Sequence, residues 1–142
     1  MKKLVLLSAL VLCLCGCSSK EKQVDVEQLQ VSLKGNQTTG YSWKCIADNE
    51  QIAKVAKTTY VEDKSEGKTG VGGTYQFVFE GTGPGMTTIS CTYNSAVATD
   101  EPTYEIQYVL KVNESKEVTI DSKTGTYLET EIPTPVMTKT SK

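Results

Sequence analysis

Residues 36–43, Asn36-Gln37-Thr38-Thr39-Gly40-Tyr41-Ser42-Trp43, gather two carboxamides, two threonine hydroxyls and a glycine, with no charge among them. Such a segment can exchange hydrogen bonds with a partner's backbone without the cost of desolvating a charge. A second cluster, Gly70-Val71-Gly72-Gly73, could let another backbone approach closely, because glycine has no Cβ and tolerates positive φ. This is the chemistry of binding. The chain has no His, which excludes Ser-His-Asp and Cys-His catalysis and His-based zinc sites. Its Asp and Glu residues are scattered, and no acid–base or nucleophilic constellation stands out. We expect no catalytic residue, no metal and no cofactor. A glycosidase built on two carboxylates is the enzymatic alternative that spacing alone leaves open.

These polar segments need rigid stems. Asn, Thr and Gly favour a turn, since short polar side chains bond the nearby backbone. After that turn Tyr41, Trp43 and Cys45 fall on one face at period two, with Ser42 and Lys44 opposite, as in a half-buried strand. Leu29, Val31 and Leu33 alternate before it. Residues 48–54 could hold a turn of helix, and 55–61 are β-branched and aromatic enough for a strand. Residues 62–73 read as a charged, Gly-rich loop. Tyr75, Phe77 and Phe79 alternate next, then come a Gly-Pro-rich turn at 81–85, the face Ile89, Cys91 and Tyr93, a break at 94–102, and the clearest strand, carrying Tyr104, Ile106, Tyr108, Leu110 and Val112. Short strands with turns between them argue for an all-β antiparallel sandwich, with a closed barrel as the structural alternative. From residue 114 on, segments 117–120 and 126–129 suggest a small extra hairpin around 121–125. The Pro, Thr and Lys content beyond Ile132 reads as a disordered tail running to 142.

The N-terminus speaks for export. Lys2 and Lys3 precede an apolar run over residues 4–14, too short for the ~20 residues that span a bilayer. Leu14-Cys15-Gly16-Cys17 resembles a bacterial lipobox, with a small residue just before Cys17, the expected site of lipidation. An ordinary secretory signal cut nearby is the alternative. Residues 1–16 are therefore expected to be removed and 17–23 to form a tether, placing the mature protein on the extracytoplasmic face of a membrane. Two of the 15 cationic residues go with the signal, leaving a mature net charge of about −4. With that balance, no basic patch and no Arg, nucleic acid is not an expected partner. Cys45 and Cys91 are the only cysteines left after Cys17. In an exported protein an even pair reads first as a disulfide, the alternative being two buried thiols.

The ordered motifs also carry a resemblance. Asn36 to Trp43 is similar to the N-P-T-T-G-aromatic-x-W signature of the chagasin family of cysteine protease inhibitors, Gly70 to Gly73 matches that family's G-x-G-G, and Thr87-Thr88-Ile89-Ser90-Cys91-Thr92-Tyr93 resembles the strand leading to its third loop. The similarity covers residues 24–113. It implies an immunoglobulin-like sandwich, acting as a monomer, that presents three loops at one end to wedge reversibly into the cleft of papain-like proteases. On that reading Asn36, Gln37, Thr38, Thr39 and Gly40 enter the cleft, with the Thr38 and Thr39 hydroxyls facing the catalytic Cys and His. Gly70, Val71, Gly72 and Gly73 approach the partner, and Asn94, Ser95 and Ala96 take the third loop by position only. An inter-sheet disulfide from Cys45 to Cys91 would be plausible in such a sandwich.

The chain departs from the family pattern twice. Gln37 replaces the usual Pro, which would have lowered the entropy lost on binding. The third loop lacks Arg-Pro-Trp, and Trp and Arg are the side chains that most often dominate interface energy, so ~2 kcal/mol or more of affinity is at stake. A non-inhibitory cell-surface immunoglobulin-like module that recognises another protein or a cell-wall component is the competing function. Hairpin connections rich in Thr and Gly are also what ordinary β-proteins contain.

Overall fold

Alternating apolar residues became strands wherever they could face a second sheet. A computed structural model describes residues 25–64, 67, 70–97 and 102–141. The expected signal segment and Cys17 lie outside these residues. The strands are β1 (Asp25–Gly35), β2 (Tyr41–Ala47), β3 (Ala53–Glu62), β4 (Gly73–Gly81), β5 (Gly85–Ser95), β6 (Tyr104–Val112), β7 (Val118–Gly125) and β8 (Val136–Ser141). They form two four-stranded antiparallel sheets, ordered β3-β4-β1-β8 and β2-β5-β6-β7. This is the sandwich expected from the alternation.

Its core is the set of inward faces. Leu29, Val31 and Leu33 of β1 and Tyr75, Phe77 and Phe79 of β4 meet Trp43, Ile89, Cys91, Ile106, Tyr108 and Leu110 of the other sheet. Burial of a large apolar side chain contributes about 1.5–3 kcal/mol each, and the period of two assigns these side chains to one face. The expected turn at 48–54 is a single turn, with Ile52 and Ala53 N–H groups both donating to the Asn49 carbonyl.

Three expectations need correction. Cys45 and Cys91 are bonded, but they are direct register partners on β2 and β5, with Cα atoms 4.0 Å apart. The disulfide therefore staples one sheet, because both cysteines came to lie on neighbouring strands rather than facing ones. The hairpin expected around 121–125 does not form. Residues 118–125 are one strand along β6. Their turn-like composition yields to the open edge of β6, whose N–H and C=O groups need a partner. Nor is the stretch beyond Ile132 without structure: β8 pairs with β1 from Asp25↔Ser141 to Gln30↔Val136. Thr138 and Thr140 hydroxyls donate to the Gln28 backbone and side-chain oxygens, a role that composition does not foretell.

The connections β1–β2, β3–β4 and β5–β6 lie at one end of the sandwich, and β7 ends there too, since Gly125 pairs with Ile106 near the start of β6. That end holds the polar segments.

Candidate functional site

The first loop builds itself around Asn36. Its extended backbone ends β1, and its side-chain oxygen accepts from the Thr38 N–H at 3.0 Å and the Thr38 hydroxyl at 2.6 Å. Residues Gln37–Thr39 form one 3-10 turn, closed by Gly40 at φ 78°, whose N–H donates to the Gln37 carbonyl. Asn is a preferred residue at such an N-cap and Gly at the left-handed exit, so the local sequence specifies this shape. The Thr39 hydroxyl donates to the Asn36 carbonyl at 2.7 Å. Both threonine protons are thus used inside the loop, while each hydroxyl oxygen retains acceptor capacity. Gln37, Thr38, Thr39 and Gly40 are all exposed, and Asn36 is half-buried.

Side-chain and backbone bonds tie the other loops to this one. The Asn36 amide donates to the Gly70 carbonyl at 3.2 Å, and the Ala96 N–H donates to the Gly40 carbonyl at 2.9 Å. The predicted segments of all three loops therefore meet along one edge. Their residues differ in exposure and in their place on the strands. Gly70, at φ 81°, is an exposed turn residue, and Val71 and Gly72 are half-buried. Gly73 is buried at the start of β4, where a Cβ would sit 2.5 Å from the Val61 carbonyl oxygen. Its missing side chain lets β4 pack closely against β3. Asn94 and Ser95 still belong to β5, paired with Ser42 and Tyr41, so the third loop leaves the sheet only at Ala96. Val97 follows with 90% of its surface exposed. Val97 lies within the expected break at 94–102, one residue beyond the expected third-loop positions Asn94, Ser95 and Ala96. The strand's pairing with β2, which places the exit, is not visible in the chain. Residues 98–101 lie outside the described residues.

Aromatic side chains hold the stem. Trp43 Nε1 donates to the Lys34 carbonyl at 2.8 Å, and the Tyr93 hydroxyl accepts from the Asn36 N–H at 3.1 Å. The Trp43 ring packs on Tyr93 at 5.1 Å and on Tyr127 at 5.9 Å between centroids, and Tyr41 stacks on Tyr93 at 5.5 Å. The Tyr127 hydroxyl accepts from the Lys34 N–H at 2.7 Å, and Glu129 pairs with Lys34 Nζ at 3.0 Å. Glu129 raises the Lys34 pKa, chiefly through that hydrogen bond. Burial raises Tyr127, opposed by the bond from Lys34. Tyr127 and Lys34 carried no sequence signal beyond an aromatic in a polar tail and a charge at a strand end.

The Tyr75 hydroxyl is buried beneath the loops without a partner in good geometry. Burial raises its pKa, and the nearby Gln37 side chain opposes the rise. A cleft of about 350 Å³ opens at this end between Asn36, Gly72, Tyr93, Tyr104 and Leu128. No cluster of three or more His, Cys, Asp or Glu suited to a metal ion occurs among the described residues. The first loop offers an uncharged row of backbone and hydroxyl acceptors on a packed aromatic base.

Residues 25–112 match the family described as chagasin family peptidase inhibitor I42. Among solved structures the chain resembles the cysteine protease inhibitor EhICP2 from Entamoeba histolytica, with a TM-score of 0.54 and 19% identity over 61% of this chain and 78% of that one. At that identity the likeness speaks for the fold. No curated protein matches the chain significantly.

Proposed function

The chain belongs to the chagasin family of peptidase inhibitors, and from that premise we propose that it is a lipid-anchored, extracytoplasmic inhibitor of papain-like cysteine proteases that occludes the cleft reversibly with three loops. The observation that carries this reading is the joining of those loops into one edge, through Asn36 to Gly70 and Gly40 to Ala96. An edge with two cross-links loses less conformational entropy on insertion than three separate loops would.

The chemistry of the edge suits blockage without cleavage. A protease cleft presents donors and acceptors to extended backbone, and the first loop meets them with uncharged groups. Thr38 and Thr39 offer hydroxyl oxygens to donors on the catalytic side chains, their own protons being held by Asn36. The Asn36 cap also supplies order that Pro would otherwise have given at position 37.

A soluble chain beginning at Ser19, assayed against papain, tests the proposal. Slowed hydrolysis that recovers on dilution, and that is relieved by Thr38→Glu together with Thr39→Glu, supports it. Absence of inhibition at high micromolar protein counts against it for the enzymes tried. Lipidation is tested separately: Cys17→Ala should move the full chain from the membrane to the soluble fraction and abolish incorporation of labelled fatty acid.

A non-inhibitory surface-binding module is the second reading. It is favoured by the third loop, where Ala96 and Val97 stand without the Trp and Arg that usually carry interface energy. Binding to isolated cell envelopes with no effect on cysteine proteases would support it.

A further inference from the structure

Lys34 is the residue from which the first loop departs, and all three of its polar groups are held by side chains from elsewhere. Its N–H donates to the Tyr127 hydroxyl, its carbonyl accepts from Trp43 Nε1, and its ammonium meets Glu129. Two of these three holders lie beyond residue 112, where the family match ends. Their position follows from the topology. Strand β8 pairs with β1 only from Asp25 to Gln30. Beyond Gln30 that flank of β1 lacks a strand among the described residues, and at Lys34 the Tyr127 hydroxyl takes up the N–H that a strand would have bonded.

Tyr127 is itself fixed. The Thr126 N–H donates to the Glu105 carbonyl at 2.8 Å and the Thr126 hydroxyl accepts from the Glu105 N–H, docking the segment on β6 just past the end of β7. Farther along, the Tyr108 hydroxyl donates to the Pro133 carbonyl at 2.8 Å, and Lys123 Nζ donates to the Ile132 carbonyl and the Thr134 hydroxyl. The segment between β7 and β8 is therefore a strap fastened at both ends, crossing from one sheet to the other past the base of the first loop.

We propose that this strap sets how the first loop is presented, with Tyr127 and Glu129 as positioning residues. The inference rests on the reading of that loop as the inserting element. Tyr127 carries more of the effect, because its ring is packed against Trp43 and the core, whereas the Lys34–Glu129 pair is largely exposed and screened by salt.

Tyr127→Phe keeps the ring and removes the acceptor. Amide hydrogen exchange on the soluble chain should then quicken about fivefold or more at Lys34 and across residues 36–40, the factor for one lost hydrogen bond, while amides of Ile89, Cys91 and Ile106 stay as they were. Dissociation from papain should quicken by a similar factor, with association less changed. Glu129→Gln should give about a twofold effect that vanishes in 1 M salt, and it serves as the test if Tyr127→Phe does not fold. Unchanged exchange at 34–40 overturns the proposal. So does uniform acceleration through β5 and β6, which would mark a general role in stability. If the wild-type chain inhibits no protease, exchange still decides the positioning role, and the failure belongs to the proposed function instead.

Discussion

The Asn36 side chain donates to the Gly70 carbonyl while its own oxygen caps the turn at Thr38, so one carboxamide both shapes the first loop and joins it to the second. Asn36→Asp should keep the cap and lose the donor, whereas Asn36→Ala loses both. We expect inhibition to weaken about fivefold for Asp and tenfold or more for Ala, from roughly 1 kcal/mol per lost bond and about 1 kcal/mol for a lost cap. Inhibition constants for the two variants, read beside their melting temperatures, check the order.

Gly73 and Gly40 should respond differently to alanine. At Gly73 a Cβ would meet the Val61 carbonyl and the Tyr60 ring within 2.6 Å, so β3 and β4 must separate. That substitution should cost about 2 kcal/mol or more of stability. A Cβ at Gly40 would meet no atom within 4 Å, and the cost is the left-handed backbone alone, about 1 kcal/mol. Urea midpoints should separate the two, with inhibition by Gly40→Ala impaired beyond its loss of stability.

The disulfide closes a sequence separation of 46 residues between neighbouring strands. Replacing both cysteines with Ala should lower stability by up to about 4 kcal/mol through the added freedom of the unfolded chain. The loops do not contain the bond, so inhibition at low temperature should survive in whatever fraction remains folded. Denaturant melts of the oxidised and Cys45→Ala/Cys91→Ala chains measure this.

Alkaline pH should unfold the protein through its buried phenols. Burial raises the pKa of Tyr75, Tyr108 and Tyr127 above the ordinary value near 10. A folded pKa above the unfolded one means that the stabilisation is complete below about pH 10. It is then lost as pH rises, because the unfolded chain releases its protons first. Melting temperature should therefore fall above about pH 10, and absorbance at 295 nm should show part of the seven tyrosines titrating late. A flat stability profile to pH 12 would contradict the burial of these groups.

Val97 should act through contact alone. At 90% exposure its replacement by Asp should leave the melting temperature unchanged, yet it would bring a charge against the partner and weaken inhibition tenfold or more. Val97→Trp should tighten it by supplying the aromatic surface the third loop lacks. Titration of both variants against papain is the measurement.

Much of this architecture is legible along the chain. The period of two in Leu29, Val31, Leu33 and in Tyr75, Phe77, Phe79 assigns inward faces before any partner strand is known, and Asn36 and Gly40 mark the turn that forms between them. The tail misleads for the same reason. Residues 121–125 have the composition of a turn and residues 133–141 that of a loose tail, yet both segments meet strands whose edges were open.

The features specified along the chain are local. They are which side chains face inward, where the backbone turns, and the absence of charge on the displayed loop, because each depends on neighbours a few residues away. The tertiary structure decided which strands became neighbours. Pairing β2 with β5 made the Cys45–Cys91 bond a staple within one sheet and brought Ala96 to Gly40. Running the strap past β1 brought Tyr127 to Lys34, 93 residues away in the chain. Such contacts depend on which edge is left open once the other strands have paired, and no local pattern of residues encodes that choice.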